Sequence, residues 1–281
     1  MKNKDFAIFI LTHNRAERVY TYKTLERSGY TGKTYIIIDD TDPEKNTYIK
    51  KFGEENVIIF NKQEVAKEFD IMDNFDDYRA VVYARNASFK IAKDLGIKYF
   101  MLLDDDYSGF YFRYNRKLEF ITEKIEKLDD VLDAMVEFYK STPVKSIAMA
   151  QAGDFIGGDN GFWSSPTRLR KCMNTFICST DRPFKFIGRI NEDVNTYVNN
   201  ARLGDIFLTI PFIAVVQKQT QANAGGLTDI YLNLGTYVKS FYTVMVQPSS
   251  VSVSLMGDKH KRIHHLVKGK FTYPMIVSEN I

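Results

Sequence analysis

The apolar positions along the chain fall into short runs separated by longer polar or amphipathic stretches. Four runs in the first part are four to six residues long, which suits buried strands and is too short for buried helices. They are Phe6–Leu11, Thr34–Ile38, Val57–Phe60 and Tyr99–Leu103. Between them the spacing predicts helices over Ala16–Arg27 and over Arg79–Leu95, the second ended by Gly96. This alternation predicts an α/β fold with a mainly parallel central sheet flanked by helices.

The second part of the chain has a more mixed pattern. The predicted helices are Asp129–Lys140, Val194–Arg202 and Thr228–Met245. The predicted strands are Ser146–Ala152, Ile206–Ile210, Ile213–Val216 and Val251–Leu255. We therefore expect a single domain with two halves, an α/β half over residues 1–106 and a smaller mixed region within residues 107–281.

Composition and charge limit the class of protein that the chain can be. A chain of 281 residues with 44% hydrophobic residues can bury a full core. Its formal charge is only +3, yet Lys259–Lys270 (KHKRIHHLVKGK) is a basic block, either a solvated face or a contact for nucleic acid or another anion. Cys172 and Cys178 are expected to be free thiols. No apolar segment has the length of a signal peptide or a membrane span, so we expect no membrane partner and a cytoplasmic location.

Three consecutive carboxylates, Asp104, Asp105 and Asp106, follow the strand predicted at Tyr99–Leu103. Like charges this close repel one another unless a cation lies among them, and hard divalent ions prefer oxygen ligands. In an extended segment alternate side chains point to the same side, so Asp104 and Asp106 would share one ion while Asp105 faces away. The alternative is a solvated acidic turn.

Polar residues at other strand ends and loops are further candidates for ligand contacts. Thr12, His13, Asn14 and Arg15 follow the first strand, and Asp39 and Asp40 end the second. Ligands of α/β sheets gather at such strand ends. The segment Gly153–Trp163 has four glycines, which allow close approach of backbone to a ligand or form an ordinary tight turn.

Two features near the end of the chain also carry chemistry. Glu192 and Asp193 precede a predicted helix, where a charge that complements the helix dipole explains one acid but not both. His260, His264 and His265 are three of the four histidines. A metal ligand among them is one interpretation, and an ordinary histidine is the other.

Taken in order, these features resemble the nucleotide-sugar glycosyltransferases of the GT-A fold, a Rossmann-like α/β fold. The stretches FAIFILTHNRAER, YIIIDD and YARNASFKIAKDLGIKYFMLLDDD resemble its first half, and GGDNG, NED and a C-terminal histidine resemble its later motifs. Within that superfamily, FAIFILTHNRAERVYTYKTLE, YARN, MLLDDDY and GRINEDVNTYV look most similar to the phage TET-associated glycosyltransferases. The resemblance spans residues 6–265.

The resemblance implies transfer of a sugar from a nucleotide-sugar donor, expected to be a UDP-sugar, to the hydroxyl of a 5-hydroxymethylpyrimidine in phage DNA, with hydroxymethylcytosine expected first. It implies that residues 1–106 bind the donor and residues 107–281 bind the acceptor. It also implies a divalent metal, Mn²⁺ or Mg²⁺, on Asp104, Asp106 and one of His264 and His265. The resemblance implies that Asp193 is the base that deprotonates the acceptor, with Glu192 as the second choice. The implied donor contacts are Thr12, His13, Asn14, Arg15, Asp39, Asp40, Arg85, Asp104, Asp105, Gly157 and Gly158.

Aromatic residues and the acceptor class leave alternatives open. Tyr107, Phe110, Tyr111 and Trp163 could stack on an extruded base or belong to an aromatic core. A glycosyltransferase for polysaccharide, lipid or protein acceptors would share the metal and nucleotide features. A non-catalytic nucleotide-binding or DNA-binding module is disfavoured, because it needs neither the triple aspartate nor the NED motif.

Overall fold

The structure is a computed structural model that describes residues 1–73, 78–161, 165–217, 228–256 and 261–274, with only the backbone of residues 228–236. The strands in these ranges are β1 Phe6–Leu11, β2 Lys33–Asp39, β3 Val57–Phe60, β4 Tyr99–Asp104, β5 Tyr107–Tyr114, β6 Phe120–Lys124, β7 Ser146–Gln151, β8 Phe176–Ser179, β9 Phe207–Gln217, β10 Val251–Met256 and β11 Arg262–Val267. The helices are α1 Tyr20–Arg27, α2 Lys45–Phe52, α3 Lys62–Ala66, α4 Val82–Asp94, α5 Leu128–Ser141, α6 Glu192–Ala201, α7 Thr228–Val246 and α8 Gly269–Thr272.

One nine-stranded sheet, in the order β3-β2-β1-β4-β8-β7-β9-β5-β6, organises the described chain. Its first four strands are parallel. In the remainder β7 and β9 are parallel and the other neighbours antiparallel. The predicted α/β class is confirmed, with a parallel first half and a mixed second half. The division expected after residue 106 falls in the turn between β4 and β5.

The four apolar runs of the first half are strands, as predicted, and their composition explains their position. Every residue of β1 is buried. Ile8 and Ile10 pack into the core on one side of the sheet, and Ala7 and Phe9 pack into the core on the other. Strands covered on both faces have continuous apolar runs, because both sets of alternate side chains meet helices.

Three predicted elements have different bounds in the structure. The helix predicted over Ala16–Arg27 begins as a 3₁₀ turn, Ala16–Arg18, before α1, and the helix predicted over Arg79–Leu95 is the shorter α4. The strands predicted on either side of Pro211 are one strand, β9. Its register against β7 shifts between Met149 and Ala150, and this bulge accommodates a proline that cannot donate to the ladder.

Three strands, β6, β8 and β11, were not predicted at all. β8 has four residues, and β11 lies inside the basic block, where charged residues and histidines hide the strand pattern. Cys172 and Cys178 are free thiols, as predicted, and burial raises the pKa of each. In the ranges given above, no helix is both long and apolar enough to cross a membrane.

Two glycines with positive φ provide a matched test of packing. An ideal Cβ on Gly29 (φ 78°) would lie 2.3 Å from the carbonyl oxygen of Glu126, whereas one on Gly96 (φ 67°) would meet no atom within 4 Å. Gly96→Ala should cost about 1 kcal/mol of unfolding free energy, which is the backbone strain alone. Gly29→Ala adds a clash with backbone and should cost more than about 3 kcal/mol. Urea unfolding measures both, and equal losses would contradict the packing at Gly29.

Candidate active site

The carboxyl ends of β1, β2 and β4 lie side by side. Leu11, the last residue of β1, is paired with Ile37 of β2 and with Asp104 of β4. The polar residues that follow these strands therefore meet at one edge of the sheet, which is the arrangement expected of a ligand site in a parallel sheet.

Asp105 ties the loop after β1 to the end of β4. It accepts hydrogen bonds from the Thr12 hydroxyl at 2.6 Å and from Arg15 Nη1 at 3.3 Å. The buried Tyr48 hydroxyl contacts Thr12 Oγ1 at 3.0 Å and accepts the Arg15 backbone N–H at 2.9 Å. Thr12 and Arg15 follow β1, and Asp105 follows β4. The hydrogen bonds to Asp105 therefore join the residues that follow these two strand ends.

Asp39 is the centre of a second cluster at the same edge. His13 Nδ1 lies 2.6 Å and Lys62 Nζ 2.9 Å from one of its oxygens, and Thr41 donates a backbone hydrogen bond at 3.0 Å. Burial by itself would raise the pKa of Asp39, but these donors hold it well below its usual range. Asp39 is therefore an ionised and fully engaged carboxylate.

Asn14 and Asp40 have structural contacts in the neighbouring turns. Asn14 has φ 55° and donates its backbone N–H to Asp42 at 2.8 Å. Asp40 accepts the side-chain amide of Asn61 at 2.8 Å and the backbone N–H of Lys62 at 3.0 Å. These bonds fix the loops that border the strand ends.

Arg85 joins the end of β4 to the start of α6. The residue is 1% exposed, and its Nε and Nη2 donate to Glu192 Oε1 at 3.1 Å and to Asp104 Oδ1 at 3.3 Å. Nη1 donates to the carbonyl oxygen of Asn174 at 3.2 Å, and the guanidinium lies 5.1 Å from the ring centroid of Phe176. Arg85 thus binds carboxylates of the protein, and its expected contact with the donor stays a prediction.

Carboxylates outnumber cations around Arg85. Asp104, Asp106, Glu192 and Asp193 form an acidic centre, and their mutual repulsion is visible in the pKa values. Burial, with Asp106 and other carboxylates contributing, raises the pKa of Asp104 to about 7, although Arg85 opposes the rise. Burial and the adjacent Asp193 raise the pKa of Glu192 in the same way. An added cation would relieve this repulsion.

Asp106 has the most open coordination of the acidic centre. Its Oδ2 accepts from Gln217 Nε2 at 3.1 Å, whereas its buried Oδ1 has no hydrogen-bond partner among the described residues. Carboxylate oxygens suit a hard divalent ion, and Asp104 and Asp106 supply them here. No group of three or more His, Cys, Asp or Glu side chains in the described ranges is close enough to hold a metal without further ligands. Asp104 and Asp106 thus fit a divalent ion that takes its other ligands from the substrate of the protein.

The histidines lie beside lysines. His265 is 5% exposed, and its Nε2 is 2.6 Å from Lys171 Nζ. The rings of His264 and His265 are 4.3 Å apart. Burial, together with Lys171 and Lys239, lowers the pKa of His264 to about 4 and that of His265 to about 2, so both are neutral. Neutral histidine can bind a metal, but here His265 Nε2 accepts a hydrogen bond from the Lys171 ammonium. His260 is outside the described residues.

The NED motif sits where the chain turns into α6. Asn191 has φ 55°, and its amide donates to the carbonyl oxygen of Lys239 at 2.7 Å and to Thr243 Oγ1 at 3.1 Å. These bonds to α7 hold the unusual backbone conformation. Asp193 follows in the first turn and accepts the Val194 backbone N–H at 2.8 Å. The motif is therefore fixed from two sides, by α7 and by Arg85.

The remaining predicted residues lie in different surroundings. Gly157 and Gly158 have φ of 93° and 59° in a turn after β7, with Gly161 and Phe120 as their neighbours. Tyr107 and Phe110 are 0% and 1% exposed and belong to the core, which was the alternative to base stacking. Tyr111 is half-buried, and Trp163 lies outside the described residues.

Four residues of the site were not identified from the sequence. They are Lys62, Lys171, Asn174 and Gln217. Lys62 could have been found, because it closely follows β3 and strand ends had been singled out. The other three reach the site through long-range folding, and no local pattern marks them.

A buried acidic centre at the carboxyl edge of a parallel sheet suits an enzyme that handles a charged ligand. The chain matches the model of the TET-associated glycosyltransferase family over residues 6–226, most of its length. The protein is a glycosyltransferase. It belongs to the TET-associated glycosyltransferase family, as the motifs predicted. No curated protein sequence matches the chain significantly.

Solved structures of glucosyl-3-phosphoglycerate synthase from Mycobacterium tuberculosis are similar to this chain along most of their length. The complex with Mn²⁺, UDP and phosphoglyceric acid has 9% identity and a TM-score of 0.46, with 94% of this chain and 87% of that chain covered. The complex with Mg²⁺ and UDP has 9% identity and a TM-score of 0.46, with 95% and 92% covered. The complex with Mn²⁺ and UDP-glucose has 8% identity and a TM-score of 0.48, with 94% and 87% covered.

Replacement of Arg85 tests whether the acidic centre depends on it. Lysine keeps the charge but cannot reach Glu192, Asp104 and the Asn174 carbonyl at once. Arg85→Lys should lower kcat for sugar transfer by about 100-fold, because displacement of reacting groups by about 1 Å has that effect, while the KM for the donor changes little. Arg182→Lys is the matched control, since Arg182 also bonds several carbonyl oxygens but lies elsewhere. Similar kcat values for the two variants would contradict the role of Arg85.

Proposed function

We propose that the protein transfers a sugar from a nucleoside-diphosphate sugar to the hydroxyl of a 5-hydroxymethylpyrimidine in DNA, with hydroxymethylcytosine as the first acceptor and UDP as the first nucleotide. The observation that carries the proposal is the acidic centre, held by Arg85 at the carboxyl edge of the parallel strands, in a chain of this family. Nucleotide-sugar chemistry needs both a cation site and a base, and this centre has carboxylates for each.

The donor is proposed to bind along the edge formed by β1, β2 and β4. Asp104 and Asp106 would hold Mn²⁺ or Mg²⁺, which when bound neutralises the diphosphate leaving group. His264 or His265 is proposed as a further ligand. The Asp39 cluster, with His13 and Lys62, is proposed to contact the nucleoside. Thr12, Asn14, Arg15, Asp40 and Asp105 shape this side of the site, and Gly157 and Gly158 are proposed to approach the donor from the other.

Asp193 is the proposed general base. Glu192 Oε1 accepts a hydrogen bond from Arg85 Nε at 3.1 Å, and this ion pair with a buried guanidinium makes Glu192 a poor acceptor of the proton of the acceptor hydroxyl. Asp193 stands next to Glu192 at the start of α6, where its carboxylate can take the proton of the acceptor hydroxyl. A base of this kind supports transfer with inversion at the anomeric carbon.

The DNA acceptor follows from the family. Its name associates these enzymes with TET, and this association supports a hydroxymethylpyrimidine in DNA as the proposed acceptor. A DNA acceptor also agrees with a location in the cytoplasm of a phage-infected host. An acceptor in polysaccharide, lipid or protein is the alternative, because it would use the same donor side.

A panel of donors and acceptors tests the proposed function. The protein is incubated with UDP-sugars and other nucleotide sugars and with DNA that contains hydroxymethylcytosine, hydroxymethyluracil or cytosine, and the DNA is digested to nucleosides for mass spectrometry. Glycosylated hydroxymethylcytosine is expected, with Mn²⁺ or Mg²⁺ restoring transfer after chelation. Transfer to oligosaccharide, lipid or protein in the absence of any DNA product would identify the alternative class.

Substitution of the two NED acids distinguishes the base from its neighbour. Asp193→Asn should lower kcat by about 100-fold to 10,000-fold with little change in donor KM, because a base acts in the transition state. Glu192→Gln, the isosteric partner, should act mainly through Arg85 and lower kcat less. Near-normal turnover of Asp193→Asn with loss in Glu192→Gln would move the base to Glu192.

A further inference from the structure

A hairpin formed by β10 and β11 stands apart from the nine-stranded sheet. Its antiparallel register pairs Val251 with Val267 and Met256 with Arg262. The hairpin rests on α7, where Ser240 Oγ donates to the carbonyl oxygen of Ile263 at 3.0 Å. These two strands form a sheet of their own, separate from the nine-stranded sheet.

The two ends of this hairpin differ in exposure. Val251, at the end near α7, is 1% exposed and packs in the core with Val244 and Val267. Leu255 and Met256, at the other end, are 64% and 42% exposed. Leu255 lies on the same period-two face as Val251, and Met256 lies on the opposite face. Each face of the ribbon at this end therefore presents one large apolar side chain to solvent.

The surface around the hairpin is basic. Lys261, Arg262, Lys268 and Lys270 are exposed. Among the described residues of 247–256 and 261–274 there is no Asp or Glu to neutralise them. Cations beside apolar side chains are complementary to a polyanion that also has apolar surfaces. Nucleic acid is such a ligand, because it carries phosphates and stacked bases.

The hairpin is connected directly to the catalytic side of the protein. Asn191 of the NED motif bonds the Lys239 carbonyl oxygen of α7, and the next residue, Ser240, bonds Ile263 of β11. On the same strand His265 contacts Lys171 at 2.6 Å. A ligand that binds the hairpin is therefore linked, through β11 and α7, to Asn191, which lies two residues before Asp193.

We propose that the hairpin enters a groove of the acceptor DNA, with its cations on the phosphates and with Leu255 and Met256 as an apolar wedge at the target base pair. The proposal rests on the proposed DNA acceptor. A two-stranded ribbon fits the major groove, which is about 12 Å wide. Proteins that unstack DNA insert Leu, Met and similar side chains between bases, and enzymes that act on a base commonly extrude it.

The wedge is tested by comparing paired and mispaired acceptors. Wild type and the double variant Leu255→Ser/Met256→Ser are assayed on a duplex with hydroxymethylcytosine opposite guanine and on the same duplex with a mismatch at that position. The variant should lose about 10-fold to 100-fold of its rate on the paired duplex and little on the mismatch, because a mispaired base leaves the stack at lower cost. Leu203→Ser is the control, since Leu203 is 68% exposed and lies beyond the C-terminal end of α6.

The cations are tested by the salt dependence of DNA binding. Lys261→Ala/Arg262→Ala should lower the slope of log K against log salt concentration by about 2, because each lost phosphate contact contributes about 0.9. The nucleotide-sugar KM should stay unchanged. Lys90→Ala/Lys93→Ala removes two exposed cations from the last two turns of α4 and should leave the slope as it is.

The outcomes separate this proposal from the one on which it rests. If wild type transfers no sugar to either DNA, the acceptor proposal fails and the hairpin proposal fails with it. If wild type is active but the wedge variant loses equal activity on paired and mispaired DNA, or none on either, the wedge is overturned while the DNA acceptor stands. An unchanged salt slope in the cation variant overturns the phosphate contacts.

Discussion

The buried guanidinium of Arg85 is the interaction on which the site depends. A guanidinium removed from water needs an acceptor for its donors, and here the acceptors come from β4, from α6 and from the segment before β8. Each of these elements is positioned by the others, since a shift of one would leave a charge without its partner. The fold therefore brings Asp104 and Glu192 together, although they are far apart in sequence.

The acids at the sheet edge divide into two groups by how well their oxygens are satisfied. Asp39, Asp40 and Asp105 accept several hydrogen bonds each, and they hold the loops after β1, β2 and β3 in place. Asp106 accepts a hydrogen bond from Gln217 through one oxygen only, Asp104 is held by Arg85 and the Tyr107 hydroxyl, and burial raises the pKa of both acids. The first group makes the site rigid, and the second leaves negative charge for an external cation. Rigid loops around a charged opening are what a metal-assisted transfer requires.

Local pattern predicted the first half of the fold well, because strands such as β1 are buried on both faces and their apolar runs are unbroken. It failed where tertiary contacts override pattern. β11 is a strand although it reads RIHHLV, since pairing with β10 and packing on α7 satisfy its backbone. The acidic motifs were identifiable because carboxylates at strand and helix ends are conspicuous. Asn174, the third partner of Arg85, was not identifiable, because it contributes only a carbonyl oxygen, which every residue has.

The position of β9 in the sheet has a consequence for how the chain reaches this structure. β9 lies between β7 and β5, and it is the only neighbour through which the β5–β6 pair joins the sheet. During synthesis β5 and β6 leave the ribosome about a hundred residues before β9 ends at Gln217. Until then they can pair only with each other and not with the rest of the sheet, and Asp106 lacks the Gln217 amide that it binds in the finished protein. The parallel strands can assemble early, but the nascent chain completes the carboxylate cluster only after β9 has emerged.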